Sequence, residues 1–384
     1  MNRTLQFILF FSIAFTLYTI LNGYIFVRGW SVVPPEYQAW YAVGFAFFAY
    51  SYIVGRLLER VTLTWFTSTL VFIGAYWLSA MVYFFLIIYV VDVLRLVNTF
   101  FPYFPVFIAS NMALTERVLA LSALSVVFVL LVAGHFNARK LRVQTLELTI
   151  PKNSHALRAL SIVAASDIHL GTIICKSRLE HIVEKINSLN PDLVLLPGDV
   201  VDEDLGPVIK QNLGETLRTI RAKYGVVACT GNHEYIGGVE EANEYLIEHG
   251  VNVLRDDSLK VADSVFIVGR EDRAIRQFAG KQRAPLGDIM KSVDKNFPVI
   301  LMDHQPFRLD EAVEHGVDLQ LSGHTHHGQL WPFQFITKRM FELSWGYKKK
   351  DRTHFYVSSG VGTWGPPIRI GNSPEIVHLK LSFG

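Results

Sequence analysis

Five short polar stretches, each directly after an apolar run of strand length, constrain this chain more than any other feature of it. They are Asp167-Ile168-His169-Leu170-Gly171 after the run 160–165, Gly198-Asp199-Val200-Val201-Asp202, Gly231-Asn232-His233-Glu234, the isolated pair Asp303-His304, and Gly323-His324-Thr325-His326. Apolar strand, polar loop and amphipathic helix in alternation predict an α/β architecture. Open α/β sheets collect their sites at the carboxyl ends of strands, so the five loops are expected to converge on one sheet edge.

These motifs all lie in the last two-thirds of the chain, and the first third has a different character. The whole sequence is 51% hydrophobic with positive mean hydropathy, too apolar for an ordinary soluble domain. The excess is concentrated in runs at 5–27, 39–54, 66–91 and 119–135, each read as a membrane span because a hydrocarbon core needs roughly 20 helical residues. Trp40, Tyr41, Trp65 and Tyr103 take interface-like positions. Counting cations, Arg3, Arg56, Arg60, Arg139, Lys140 and Arg142 would face the cytoplasm, leaving Arg28, Arg95 and Arg117 outside. Residues 98–110 would then be an external interfacial loop. Asp92 and His135, near span ends, are read as touching headgroups, and the spans offer no charged cluster for an ion pathway. A net charge of +2 gives no case for a nucleic-acid partner. Cys175 and Cys229 lack CxxC spacing and are expected to be buried free thiols.

Domain boundaries follow from these shifts: 1–136 a transmembrane segment, 137–157 a basic linker with a first strand, and 158–384 the α/β domain. Strands are expected near 143–150, 160–165, 192–196, 225–229, 251–254, 264–268, 298–302, 318–321, 354–358 and 375–382, with helices at 177–188, 208–222, 238–248, 285–294 and 307–315. The stretch 270–285, with cations at 270, 273, 276, 281 and 283 and little periodicity, reads as a solvated loop or a mobile flap.

The residue types at the strand ends suit a pair of divalent ions roughly 3.5–4 Å apart, which needs one shared carboxylate and several further ligands on each ion. Asp199, on a central strand, is the natural bridge. Asp167 and His169, two apart on one loop, can clasp one ion, and the same spacing lets His324 and His326 reach one ion each. Asn232 and His304 complete the second ion with an amide oxygen and an imidazole. This mixed oxygen and nitrogen set suits manganese, iron or zinc better than calcium or magnesium, and manganese is taken first among the three.

Taken in order, DxH, GDxxD, GNH(E/D), a lone His and GHxH make the chain, over roughly 158–384, resemble the calcineurin-like metallophosphoesterase family. The run 316–321 and the tail 357–369 are similar to its bacterial membrane-anchored branch, which includes phosphodiesterases and UDP-2,3-diacylglucosamine pyrophosphatase-type enzymes. The resemblance implies a β-sandwich flanked by helices, here preceded by an all-α four-helix transmembrane segment. It implies one metal on Asp167, His169, Asp199 and His326 and the other on Asp199, Asn232, His304 and His324. It also implies that His233 contacts phosphate and protonates the leaving oxygen, oriented by Asp202; bracing of the loops alone is the alternative role for Asp202 and for Glu234. Two departures stand out. His327 replaces the usual small residue after GHTH and reads as solvent-facing or as a substrate contact, and Glu203 replaces an arginine that some relatives carry. Arg369 and Arg276 are then the candidate phosphate contacts.

After the last ligands, residues 330–352 mix Trp331, Phe333, Phe335, Phe341, Trp345 and Tyr347 with Lys338, Arg339, Lys348, Lys349, Lys350 and Arg352. Such a mixture suits an anionic membrane surface, each nearby cation adding about 1 kcal/mol. The expected function is a phosphohydrolase of the bacterial inner membrane, multi-pass with a cytoplasmic catalytic domain. It would cleave a phosphodiester or pyrophosphate in a lipid-linked substrate such as UDP-2,3-diacylglucosamine, by in-line attack of a metal-bound hydroxide. A tethered phosphodiesterase for soluble nucleotides and a non-hydrolytic scaffold or sensor are the rival readings.

Overall fold

The computed structural model describes residues 3–152, 154 and 157–384, so residues 153, 155 and 156 of the expected linker lie outside the described residues. The chain forms two units, Met1–Gly134 and His135–Gly384.

The first unit is helical: α1 (Arg3–Trp30), α2 (Gln38–Glu59), α3 (Trp65–Phe100), the short α4 (Val106–Ser110) and α5 (Met112–Arg139), the last running on into the second unit. Among the described residues three stretches are long and apolar enough to cross a membrane, Pro35–Glu59, Trp65–Phe100 and Met112–Arg139. The span expected at 5–27 is also one helix, α1. It is not among the three, and the side chains of residues 3–8, 10 and 11 are outside the described ones. α2 and α3 run antiparallel at glycine distance: a Cβ on Gly74 would meet Tyr52 N at 2.1 Å, and one on Gly55 would meet Val71 N at 2.8 Å. Small residues at these positions let the two helix backbones approach closely. Trp77 Nε1 donates to Asn22 Oδ1 at 2.9 Å, fastening α3 to α1.

The second unit is a sandwich of two six-stranded sheets. Its strands are β1 (Arg142–Ile150), β2 (Ala159–Ala164), β3 (Leu193–Pro197), β4 (Val226–Cys229), β5 (Val251–Leu254), β6 (Asp257–Val261), β7 (Val265–Gly269), β8 (Val299–Met302), β9 (Leu319–Ser322), β10 (Gly346–Lys350), β11 (Thr353–Val357) and β12 (Glu375–Phe383). One sheet runs β1-β12-β2-β3-β4-β5 and the other β10-β11-β9-β8-β7-β6. In the first, β2 to β5 are mutually parallel, and in the second β7, β8, β9 and β11 are. Ile162, Leu193 and Val227 of one sheet share a single buried core with Ile267, Ile300 and Leu319 of the other. The near-continuous apolar runs in β3, β4 and β8 are what strands covered on both faces require.

Several expectations needed revision. The helix expected over 208–222 is two short ones, Gly206–Lys210 and Leu213–Leu217, because Asn212 between them is left-handed at φ 53°. The regular parts of 285–294 and 307–315 shrink to Leu286–Ile289 with Met290–Ser292, and Asp310–Glu314. β6 and β10 were not expected as strands. β10 carries Lys348, Lys349 and Lys350 at a sheet edge, where lysine discourages pairing with another chain. Its charges are partly neutralised, with Lys348 Nζ 2.7 Å and Lys350 Nζ 3.2 Å from Glu342 Oε1. The stretch 270–285 is not a solvated loop throughout. Arg270 is buried, and Arg270 and Arg283 both hold Asp303, at 3.2 and 2.8 Å. Both cysteines are free, Cys229 buried and Cys175 only partly so.

Candidate metal centre

Beyond their last paired residues, β2 and β3 continue side by side as loops. Asp167 N donates to Gly198 O at 3.1 Å, His169 N to Asp199 O at 3.0 Å, and Leu170 N to Val200 O at 2.9 Å. Asp167, His169 and Asp199 all take positive φ, between 52° and 55°. Such a conformation costs a non-glycine residue free energy and persists only where surrounding contacts impose it. In the second sheet the loops after β8 and β9 are likewise paired, Gly323 N to His304 O at 3.0 Å. The two loop sets interlock: His304 Nδ1 lies 2.9 Å from Pro197 O, and His324 N donates to Asp167 Oδ1 at 2.7 Å. Two glycines permit this crowding, since a Cβ on Gly231 would sit 2.2 Å from Asp199 Oδ1 and one on Gly323 2.1 Å from Asp167 Oδ2.

All seven residues picked as ligands are brought together. His169 Nε2 faces His326 Nε2 at 2.9 Å, with Asp167 Oδ1 3.6 Å from the latter. His304 Nε2 lies 3.0 Å from Asp199 Oδ2 and 3.2 Å from Asn232 Oδ1, and His324 Nδ1 is 2.7 Å from the same amide oxygen. Ligand atoms of Asp167, His169 and His326 fall within 4.8 Å of one another, as do those of Asp199, His304 and His324. Asp199 Oδ2 is also 3.9 Å from His169 Nε2, so it adjoins both groups.

The donor chemistry fits cations. A carbonyl only accepts, so His304 carries its proton on Nδ1 toward Pro197, and a neutral ring turns its Nε2 lone pair on two oxygen acceptors. Without a cation that lone pair needs a second proton: burial opposes the charge, but Asp199 overrides it and holds the His304 pKa well above the ordinary value. Burial likewise opposes charge on Asp199, whose carboxyl nevertheless stays well below the usual range beside His304 and His233. Asp167, with less to offset burial, is pushed up. His324 is lowered to about 3 by burial and by His304, and His326 is lowered by burial, His169 and Arg369, so both present neutral nitrogens. Buried carboxylates partnered by imidazoles and backbone N–H groups are what divalent ions would neutralise.

His233 is buried, with Nδ1 3.1 Å from Asp202 Oδ1 and 4.0 Å from Glu203 Oε1. Its backbone N–H donates to Asp199 Oδ1 at 2.8 Å. Burial lowers its pKa, yet Asp199 and Asp202 together raise it to about 9; ions in the adjoining cluster would act in the opposite sense. Glu234 braces the loops, accepting from the backbone N–H groups of Asp199, Val201 and Gly231 at 3.1, 2.9 and 2.8 Å.

The three candidate substrate contacts fare differently. Arg369 is fully buried. Its Nη2 donates to Ser359 O and Gly362 O, both at 2.7 Å, and Nη1 to Asn372 Oδ1 at 3.0 Å. Nη2 also meets Gly360 O at 3.1 Å and His326 Nδ1 at 3.2 Å, sharing its hydrogens among these acceptors and holding the ring of that ligand from behind. Arg369 is thus a brace, not a phosphate contact, and burial lowers its pKa to about 10. Arg369→Met is expected to destabilise the protein by on the order of 3 kcal/mol by stranding those carbonyls, measurable by urea unfolding; an unchanged midpoint would refute the bracing role. Arg276 is exposed on the helix Ile275–Phe278 and belongs to none of the site's hydrogen bonds or ion pairs. His327 is buried rather than solvent-facing, its ring 5.1 Å from that of Trp345.

One residue that motif reading passed over is Trp364. It is 54% exposed, yet its ring lies 6.0 Å from that of His233. Its backbone is clamped by Gln329, which accepts from Trp364 N at 2.9 Å and donates to the carbonyls of Trp364 and Pro366 at 2.9 and 3.0 Å. A held indole left open beside His233 is placed to meet a flat leaving group. Trp364→Ala is expected to raise KM for aryl phosphodiesters about five- to tenfold with little change in kcat; steady-state kinetics against alkyl esters, which should be less affected, checks it.

Two facing sheets with this cluster at their common edge define an α/β sandwich built to hold metal ions. The model of the family described as calcineurin-like phosphoesterase matches residues 160–328. A Helicobacter pylori protein described as an uncharacterized metallophosphoesterase is 35% identical over 229 residues, 58% of this chain and 60% of that one. An Aquifex aeolicus protein of the same description is 32% identical over 224 residues, 58% of this chain and 85% of that one. A Danio rerio "transmembrane protein with metallophosphoesterase domain" is 32% identical over 273 residues, 67% of this chain and 62% of that one. The match covers about 60% of the length of the Helicobacter and Danio relatives. This chain belongs to the calcineurin-like phosphoesterase family.

Proposed function

We propose that this protein is a membrane-anchored, two-metal phosphohydrolase acting on phosphodiester or pyrophosphate bonds. The observation that carries it is the pair of adjoining ligand groups, Asp167, His169 and His326 beside Asp199, His304 and His324, with Asp199 next to both. Two divalent ions bound there would supply a nucleophile at neutral pH and offset charge on the phosphoryl oxygens; manganese is the first choice and iron or zinc the alternatives. The chain's own residues do the rest. Asp199 and Asp167 hold the anionic ligand atoms in place, His304 is fixed by Pro197 O, and His233, backed by Asp202, is positioned to give a proton to the leaving oxygen.

We further infer a lipid-linked substrate. Three apolar helices of spanning length support it, as does an exposed surface beside the ligand loop. There Trp331, Phe335, Ile336 and Met340 stand out in solvent with Lys338 and Arg339, on and before the helix Gln334–Met340. Across the spans and their flanks, Arg3, Arg56, Arg60, Arg139, Lys140 and Arg142 on one side outnumber Arg28, Arg95 and Arg117 on the other, which favours a cytoplasmic phosphoesterase unit, taken here to sit at a bacterial inner membrane.

The test is hydrolysis by the full-length protein in detergent micelles. Phosphate and nucleotide release would be followed from bis(p-nitrophenyl) phosphate, soluble nucleotides and a panel of lipid-linked phosphodiesters and pyrophosphates. Turnover should vanish with EDTA and return with manganese, and chelation should lower the melting temperature by several degrees because buried carboxylates lose their counter-ions. Two bound ions with no turnover on any donor would defeat the hydrolase reading. Turnover of soluble nucleotides alone would defeat only the lipid reading.

A further inference from the structure

The helical unit encloses a groove of about 530 Å³, within the roughly 300–1,000 Å³ typical of small-molecule sites. Its walls come from α1, α2, α3 and α5 and are almost wholly apolar and aromatic, with Trp40, Phe48, Trp77, Phe84, Ala120 and Ala123 among them. Gly44 also faces it, and a Cβ added there meets nothing within 4 Å, so the space is open along that wall.

Four charged residues of the same lining are joined in two pairs. Arg28 Nη2 is 2.6 Å from Asp92 Oδ2, which Tyr24 also reaches through its hydroxyl, and Arg95 Nη2 is 3.3 Å from Glu116 Oε1. Asp92, expected to touch headgroups, is held by Arg28 and Tyr24 in a polar group that lines this cavity. All four side chains keep between 19% and 44% exposure, so they remain open to a further partner. They lie toward the ends of α1, α3 and α5, at the depth where a lipid head meets the protein.

We propose that this groove binds one zwitterionic phospholipid. An apolar gap between helices in a bilayer forfeits dispersion energy unless a chain fills it, and an acyl chain along the aromatic wall does so. The charge at the polar part selects the head. Two guanidinium groups suit a phosphate, and two carboxylates beside them suit an ammonium, whereas a purely anionic head would meet Asp92 and Glu116 unfavourably. Glu116 and Arg139 are separated along α5 by about 35 Å at the helical rise, roughly a hydrocarbon thickness. The head therefore sits near the end of α5 opposite the one from which the chain enters β1. The groove is thus a lipid site in its own right, independent of the hydrolase reading.

Native mass spectrometry of the full-length protein in detergent tests it, using phosphatidylethanolamine and phosphatidylglycerol of identical chains. One phosphatidylethanolamine should be retained per chain, with phosphatidylglycerol at least about tenfold weaker. Gly44→Phe, which fills open space, should reduce retention at least about tenfold without lowering the melting temperature. The charge-neutral double variant Arg28→Gln with Asp92→Asn should keep lipid binding but lose the preference between heads. Equal retention of the two lipids by the wild-type protein, displacement of both by detergent alone, or wild-type retention by Gly44→Phe would each overturn the proposal.

Discussion

Asp199→Asn should abolish hydrolysis while leaving the fold intact. The amide keeps an oxygen for the His233 backbone N–H, now 2.8 Å from Oδ1, and a polar group toward His304, so packing at this buried position changes little. What disappears is the negative charge adjoining both ligand groups. A carboxylate next to both ligand groups would hold and neutralise ions bound there, and its loss is expected to lower turnover at least ~10³-fold, about 4 kcal/mol of transition-state stabilisation. Metal content by plasma mass spectrometry should fall well below that of the wild type, with an unchanged circular dichroism spectrum. Wild-type metal content together with wild-type turnover would remove Asp199 from the centre of the site.

His233→Ala should cost about 10²- to 10⁴-fold on substrates with alkoxide leaving groups, the range for a general acid, and far less on p-nitrophenyl esters, whose leaving group needs no proton. That contrast separates proton donation from mere packing, because a structural defect would slow both substrates alike. Glu203→Gln is the control: its carboxylate is 4.0 Å from His233 Nδ1 and about one-third exposed, against 3.1 Å and near-complete burial for Asp202. It should retain most activity while Asp202→Asn loses a substantial part. Equal losses on both leaving groups would assign His233 to phosphate binding alone.

The revisions at the site follow one pattern. Arg369 was a candidate phosphate contact because Glu203 stands where some relatives carry an arginine and another cation had to be sought, and sequence carries no information on which way a guanidinium points. The tail's own carbonyls capture it, since Ser359 and Gly362 turn their oxygens inward and need donors. Arg270 and Arg283 looked solvated for the same reason: their partner Asp303 lies some twenty or more residues away and across a strand. Trp364 escaped notice because an exposed tryptophan has no sequence signature; only the Gln329 clamp and the His233 ring beside it give it a role.

The sequence alone picked out the candidate ligand residues, their placement on strand-end loops and the spanning-length apolar helices. Each of these is a local property, written in a two-residue spacing, an apolar run ahead of a polar loop, or about twenty consecutive apolar residues. The tertiary structure decided which side chains share a wall: the interlocking of the β3 loop with His304, the brace behind His326, the Arg28–Asp92 and Arg95–Glu116 pairs facing an apolar groove. Those contacts join residues tens to hundreds of positions apart, and they depend on strand register and helix packing, which no local pattern encodes.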